Sequence, residues 1–545
     1  MNRTSVRRRV LLVVALCLVY GNALDAQPLI SFVYPTPNQI AVSPGTSIEV
    51  EFDIDIDPAS IMESSFVVYS AYSGYVEGVF SFEDGSKIVT FDPLTDFFAG
   101  DLVTVILTTA IQSTGADPLA ASFGWSFTIA ADSSSPGQFR YDDSYYIDAY
   151  PNTLVACDVD NDADLDIVSS SIGNDYVSVH RNAGDGTFPT RSEYRTYGSP
   201  KGTIVCDFDA DGFIDIAVAC MDSSRVVLLR NDGTGDFVID SLYGTGSRPR
   251  SLWSGDFNGD GFFDFVAANG NESSASVFLN HGDGTFADGE SIAIGLWPSS
   301  VVGGDLNNDG YPDLAFANYA TNDVYLMMND GSGNFSTDDT PGMAWRPWSI
   351  CAANLNADDW LDLGVAVWHD TISVLMNSVG GNFAARIDAS SGDYPRWITA
   401  ADIDGDADLD ILVANLDSDS IHVHHNTGDG IFAMDAAYDV GGGTEAVIAC
   451  DLDGDNDLDL AAALSSALVI LMNDVGPVCG DVDVSGSINV SDVVYIIAYI
   501  FGGGPEPQPS EIADVDCSGK INVSDAVYLV AYIFGGGPAP CAACP

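Results

Sequence analysis

The sequence predicts a mainly β protein: a β-sandwich, then a seven-bladed β-propeller, then a small α-helical module. Three observations predict it. An acidic loop of nine residues, fullest at Asp451-Leu-Asp-Gly-Asp-Asn-Asp-Leu-Asp459, also occurs with starts at Asp158, Asp207, Asp256, Asp305, Asn354 and Asp402, at intervals of 49, 49, 49, 49, 48 and 49 residues. A fixed period of that length marks repeated supersecondary units. Ahead of the first loop, residues 27–131 hold short alternating strands and no such loop. Behind the last, the period drops to 33 residues and the apolar pattern turns helical.

A chain of 545 residues needs more than one core. Its formal charge of -61 is extreme, yet 46% of residues are hydrophobic and 10% aromatic, too apolar for disorder. The acid is therefore organised: 34 of the 79 acidic residues stand in the repeated loops. Like charge so crowded is unfavourable unless a cation neutralises it. The same charge disfavours binding to nucleic acid. Arg3, Arg7, Arg8 and Arg9 precede an apolar run, Val10 to Tyr20, and small residues at Ala23 and Ala26. Residues 1–26 thus read as a secretory signal peptide, with a secreted, extracellular or cell-surface protein expected. That run is too short to span a bilayer, and no later stretch is a transmembrane segment. The mature chain keeps nine cysteines in an oxidising compartment, and the odd number leaves at least one unpaired.

Residues 27–131 alternate as strands do at Ser47–Phe52, Phe66–Tyr69, Lys87–Phe91, Leu102–Leu107 and Trp125–Ile129, which predicts a sandwich. The segments Pro35-Thr-Pro37, Val42-Ser-Pro-Gly45, Thr90-Phe-Asp-Pro-Leu94 and Phe123-Gly-Trp-Ser-Phe127 resemble the bacterial immunoglobulin-like (Ig-like) module of secreted and surface-layer proteins. The resemblance implies a spacer. Residues 132–138 read as a linker.

Residues 139–475 form the array. Each unit has a Pro seven residues before the loop (Pro151, Pro200, Pro249, Pro298, Pro347 and Pro395, with Thr444 in the seventh), a short strand, the loop, two further strands and an Asn-containing turn closing on Phe. About four short strands per unit is a propeller blade. Closing the ring removes the open edges that a linear stack, the alternative, leaves at its ends. The units resemble the FG-GAP repeats of integrin α-subunit propellers and related VCBS-type bacterial repeats. The resemblance implies that the loops lie on one side of the wheel and that ligands meet the other.

Positions 1, 3, 5 and 9 of each loop offer side-chain oxygens, a hard donor set that suits Ca²⁺ rather than Zn²⁺. The expected metal ligands are Asp158, Asp160, Asp162 and Asp166 in the first unit, Asp207, Asp209, Asp211 and Asp215 in the second, and Asp256, Asn258, Asp260 and Asp264 in the third. Asp305, Asn307, Asp309 and Asp313 follow in the fourth, and Asn354, Asn356, Asp358 and Asp362 in the fifth, the weakest set. Asp402, Asp404, Asp406 and Asp410 serve the sixth, and Asp451, Asp453, Asp455 and Asp459 the seventh. Gly212, Gly261 and Gly310 fit the sharp bend at position 6; Ala163, Asp359, Ala407 and Asn456 carry strain there. Every unit repeats the set and none adds a distinct acid, base or nucleophile, so a structural role is expected and no catalytic residue is assigned.

The turns on the other side are unlike the rest. They hold Lys201, Arg225, Arg248, Arg250, Arg346 and Arg396 together with Trp297, Tyr319, Trp345, Trp348, Trp368, His369, Tyr394 and Trp397. Aromatic faces stack on sugar rings and Arg pairs with carboxylates. Arg248, Arg250, Trp297, Arg346, Trp348, Trp368, Tyr394, Arg396 and Trp397 are therefore candidate residues for a polysaccharide or cell-surface glycan. The alternative is that the aromatics cover blade ends and the arginines offset nearby Asp. His422, His424 and His425 lie on a third strand, where packing is expected rather than a transition metal.

In residues 476–545 two twelve-residue loops have EF-hand spacing, each followed by an apolar helix. Their expected calcium ligands are Asp481, Asp483, Ser485, Asn489 and Asp492, then Asp514, Asp516, Ser518, Asn522 and Asp525. A final Asp in place of Glu, and no helix before the first loop, resemble a dockerin. That resemblance implies a cohesin partner recognised around Val490, Ser491, Val523 and Ser524. Cys479 and the Cys541/Cys544 pair bracket the module as a candidate staple. Two functions remain open: a calcium-binding, glycan- or protein-binding scaffold or adhesion protein docked to a cohesin, or a polysaccharide-degrading lyase or glycosidase of a cellulosome-like system. For the second, Tyr394, Arg396, Arg250 and His369 are the candidate groups.

Overall fold

Ile48, Val50 and Phe52 alternate inward along Ile48–Phe52, and that strand sits second in a four-stranded sheet of order Ile30–Tyr34, Ile48–Phe52, Ile88–Pro93, Gly78–Glu83. A second sheet, ordered Gly74–Tyr75, Phe66–Ser70, Leu102–Leu107, Phe123–Thr128, closes the sandwich over Phe52, Phe66, Phe91, Trp125 and Phe127. The computed structural model describes residues 27–132, 137–338, 340–343, 345–378, 380–383, 386–428, 430–473, 480, 482, 488, 490–505, 507, 510–516, 518–535 and 540. The expected signal peptide, linker residues 133–136, Cys479, Asp481, Asp483, Ser485, Asn489, Cys541 and Cys544 lie outside them. No helix among the described residues is long and apolar enough to cross a membrane.

The second sheet corrects the expectation of a spacer. All five residues of Phe66–Ser70 are buried, a pattern that requires cover on both faces. Phe66 and Val68 point into the sandwich, whereas Val67, Tyr69 and Ile106 share a cluster with Leu252, Phe263 and Phe265 of the repeats. The Ig-like module and the repeats thus form one compact unit, and Asn473 onward, together with Gln138–Arg140, forms another.

Among the described residues the repeats build seven four-stranded antiparallel sheets. In the first, Pro151–Cys157, Asp166–Ser171, Tyr176–Arg181 and Thr190–Arg195 pair in chain order. The first strands pack side by side in ring order, and Thr444–Cys450 of the last returns to Pro151–Cys157 of the first. The fourth strand of the last blade is Arg140–Tyr146, which precedes the first blade in the chain, so the ring is clasped by its own beginning. Second strands such as Asp215–Cys220 and Asp459–Leu464 are buried throughout. Cys157, Cys206 and Cys450, each just ahead of a loop, are buried and unbridged, as small apolar residues are.

In six of the seven blades one side chain, an asparagine, joins the blade to its neighbour. Asn280 Nδ2 donates to Phe263 O of its own blade (3.1 Å) and to Phe208 O in the loop of the preceding blade (2.8 Å). Asn231, Asn329, Asn377 and Asn426 make the equivalent bonds to Val159, Phe257, Leu306 and Leu355. Asn182 reaches Leu452 O at 2.8 Å and so closes the first blade on the seventh. In the C-terminal unit, helices α1 (Val490–Gly502) and α2 (Val523–Gly535) pack around Val482, Val493, Ile496, Val515 and Leu529.

Replacing Asn280 with Ala leaves two buried carbonyls without a donor. The variant is expected to lose about 2–3 kcal/mol, read as a lower midpoint in urea at unchanged slope.

Candidate functional site

Each acidic loop is a coil pinned by its first residue, an Asp in six loops and Asn354 in the fifth. Asp207 Oδ1 accepts from Asp211 N (3.1 Å) and Oδ2 from Gly212 N (2.9 Å), while Asp215 accepts from Phe208 N and, through Oδ1, from Asn231 N (3.0 Å). The bend needs a left-handed residue at position 6: Gly212 has φ 91° and Gly261 φ 91°, whereas Ala163, Asp359, Ala407 and Asn456 adopt φ of 72°, 69°, 75° and 70°. The strain expected at those four is therefore present.

The coil gathers carboxylates out of water. Oxygens of Asp158, Asp160 and Asp166, of Asp207, Asp209 and Asp215, of Asp402, Asp404 and Asp406, and of Asp451, Asp453 and Asp459 converge within 4.8 Å in each set. Burial pushes the carboxyls of Asp158, Asp207 and Asp256 up to about 6, those of Asp166, Asp215, Asp305, Asp362 and Asp402 to about 7, and those of Asp264 and Asp313 to about 8. Buried Oδ1 atoms of Asp160, Asp209, Asp402 and Asp453 meet no hydrogen-bond donor among the described residues. Converging oxygens with unused lone pairs fit a hard divalent cation.

Three loops also meet a basic side chain that the sequence reading missed. Arg181 Nε lies 3.4 Å from Asp160, and Arg230 Nη1 lies 3.2 Å from Asp209 and 2.5 Å from Asp215. His425 Nδ1 stands 3.3 Å from Asp404 and 3.5 Å from Asp410. All three immediately precede the blade-joining Asn, where the other blades carry Leu279, Met328, Met376 and Met472. His422 and His424 are buried on their strand, as expected; His425 instead belongs to the sixth loop.

The loop side of the wheel is largely covered by the Ig-like module. Asp158 N donates to Tyr72 O, Asp207 N to Tyr69 Oη (3.1 Å), Tyr75 Oη to Gly261 O (3.0 Å), and Gly124 N to Gly310 O (2.9 Å). Asn354 Nδ2 donates to Asn38 O at 3.0 Å, so the amide that makes the fifth loop a poor ligand set serves the contact. Between module and wheel lies a cavity of about 370 Å³, with Trp125, Thr104, Trp253 and Gly304 among its walls.

The opposite side carries the aromatic residues, and five of them touch. Trp297 stacks on Tyr319 (5.9 Å, 26°), Tyr319 meets Trp348 (5.6 Å) and Trp368 (5.6 Å), and Trp368 meets Tyr394 edge-on at 4.3 Å. Arg346 lies over Tyr319 at 4.9 Å and bonds its hydroxyl at 2.9 Å. Arg396 lies over Trp348 at 4.1 Å. The residues before the blade prolines hold left-handed corners: Arg248 at φ 58°, Trp297 at 56° and Tyr394 at 60°. Tyr150 at φ 58° and Ser199 at 52° hold the same corner before their prolines. Arg248 itself pairs with Asp222 (3.3 Å), His369 packs on Trp345 (4.9 Å), and Trp397 packs between blades.

In the C-terminal unit Asp514 accepts from Ser518 N (2.9 Å) and Gly519 N (2.6 Å), and Asp525 accepts from Asp516 N and Asn522 N (2.8 Å). Asp492 and Asp525 are fully buried. Val490, Val494, Ile497 and Phe501 form an exposed stripe along α1, and Val523, Val527, Val530 and Phe534 repeat it on α2, with both Phe side chains 71% exposed.

The FG-GAP-like repeat family matches residues 158–218, 207–267, 256–316, 305–365 and 402–462, the bacterial Ig-like domain family residues 25–129, and the dockerin type I family residues 479–534. The chain carries FG-GAP-like repeats between a bacterial Ig-like domain and a type I dockerin. No FG-GAP match starts at the fifth loop, which has asparagine at positions 1 and 3, or at the seventh. No curated protein matches the chain. Among solved structures, BBS1N in complex with ARL6DN is 13% identical over 62% of this chain and 98% of its own, with a TM-score of 0.47. An Agrocybe aegerita lectin that recognises non-reducing terminal N-acetylglucosamine is 18% identical over 70% and 93%, at 0.40. A putative 6-phosphogluconolactonase from Bacteroides uniformis is 15% identical over 59% and 88%, at 0.42. Likeness at these levels carries neither ligand nor activity.

The raised carboxyls of the FG-GAP loops set a pH dependence. Without a cation, the folded chain keeps protons that the unfolded chain releases above about pH 4. That stabilisation is complete below pH ~4 and is lost as pH rises through 6 to 8. In EDTA, the melting temperature is expected to fall steadily from pH 5 to pH 8 in a calorimetric scan.

Proposed function

We propose that the protein is a secreted, calcium-stabilised scaffold that docks to a cohesin through its dockerin and holds a glycan on the face of the wheel that the Ig-like domain leaves free. The dockerin implies cohesin docking in a cellulosome-like system. Its two apolar stripes, which begin at Val490 and Val523, supply a surface for that partner. The contiguous aromatic group running from Trp297 to Tyr394 carries the glycan reading: flat apolar rings flanked by Arg346 and Arg396 match the faces and hydroxyls of a sugar chain. Calcium is the cation that the oxygen-only loops suit, and its role is to hold the wheel.

The enzyme reading gains less support. Glycosidases ordinarily need two carboxyl groups across the scissile bond. The axial pocket of this face holds Glu445 as its sole carboxylate among the described residues, and Arg396 binds it at 2.9 Å.

Adding calcium to EDTA-treated protein is expected to raise the melting temperature and protease resistance markedly; an unchanged thermogram overturns the structural role. Trp368→Ala, which opens the middle of the aromatic group, is expected to reduce retention on polysaccharide affinity gels by about tenfold, in line with ~1–1.5 kcal/mol for a lost aromatic contact. Unaltered retention removes this face as the glycan site.

A further inference from the structure

The residue after each blade proline, or after Thr444 in the seventh, faces the axis of the wheel. Going round, these are Asn152, Lys201, Arg250, Ser299, Trp348, Arg396 and Glu445, and they line one pocket of about 200 Å³ on the free face. The acidic loops repeat from blade to blade; this ring does not. It sets three cations against one carboxylate, in a chain whose net charge is -61.

The cations are held in place. Arg396 gives Nε and Nη2 to Glu445 at 3.0 and 2.9 Å, with 14% and 13% of the two side chains exposed, and lies over Trp348 at 4.1 Å. Lys201 Nζ donates to Asn152 Oδ1 at 2.7 Å and sits 5.6 Å from the centre of the Trp348 ring. Arg250 runs across Gly270, where an added Cβ would lie 2.3 Å from its Cδ and Nε. Among the described residues no carboxylate pairs with Lys201 or Arg250. Two recessed cations facing a cavity whose one carboxylate, Glu445, is already paired with Arg396 form a receptor for an anion.

We propose that this axial pocket is an anion site that takes the carboxylate of a uronic-acid sugar, with Arg250 and Lys201 as its two contacts and the Arg396–Glu445 pair as its wall. The sugar identity rests on the glycan reading above; the anion site rests on the pocket alone. A sulfate ester shares the charge and the oxygen donors, so the two sources are separated by experiment. Burial, then repulsion from Arg396 and Arg250 and from the more distant Arg248, lowers the Lys201 ammonium to about 7 against the pull of Glu445. A bound anion restores its proton, so affinity is highest below pH 7 and weakens as pH rises above it.

The test is calorimetric titration of the full chain in calcium with trigalacturonate, neutral galactotriose and inorganic sulfate, at pH 6 and pH 8. Trigalacturonate is expected to bind more tightly at pH 6 than at pH 8 and at least ~10-fold more tightly than galactotriose. Arg250→Met is expected to abolish that preference and Arg250→Lys to keep part of it, both with wild-type melting temperatures. Lys201→Met is expected to remove the pH dependence. Equal binding of both sugars, indifferent to Arg250→Met, overturns the pocket and leaves the aromatic face standing. Binding of sulfate without trigalacturonate overturns the uronate assignment. Trigalacturonate binding that is lost in Arg250→Met but untouched by Trp368→Ala supports the pocket and removes the aromatic face.

Discussion

The structure depends on a buried amide placed seven times in the sequence. In six of the blades the asparagine at the end of the third strand ties its own blade to the acidic loop of the blade before it, and Asn182 does so across the seam where the array ends meet. Both carbonyls it satisfies are buried in loops that would otherwise leave them unpaired. The loop and the neighbour contact are therefore one device. A loop that loses its coil also loses its grip on the next blade.

That device concentrates negative charge. The carboxylates that pin the coil are pushed well above their ordinary range by burial, and several of their oxygens have no donor within reach. The chain answers this unevenly. The first two loops hold a guanidinium, the sixth an imidazole, and the fifth exchanges two aspartates for asparagines. The remaining loops have only Leu or Met at the corresponding position, so no basic side chain offsets their charge there.

Repetition decides which side of the wheel does the fastening, and departure from repetition shows where the chain is particular. On the loop side the Ig-like domain bonds to five of the seven loops, and Asp132 of the following linker bonds to the seventh at Asn456 O. The other side carries rings and basic groups that differ from blade to blade. Left-handed corners at Arg248, Trp297 and Tyr394 present them, the same corner that Tyr150 and Ser199 hold before their prolines, at a cost of about 1 kcal/mol or more each.

The period, the loop chemistry and the module order were legible in the residues themselves, because a spacing of 49 and alternating carboxylates are local properties of the chain. The left-handed bend at position 6 was legible for the same reason. Other features were not. Nothing local shows that Arg140–Tyr146 completes the seventh blade, since its partner lies more than three hundred residues away. The docking of the Ig-like domain left a faint signal, the unbroken apolar run Phe66–Tyr69, which alternation alone could not interpret. Arg181, Arg230 and His425 reach the loops from the far end of another strand, and Lys201, Arg250 and Glu445 meet only because seven equivalent positions converge on one axis. The sequence alone determined what each blade is, through short-range spacing; which side is covered and which residues share a site was decided by closing the ring.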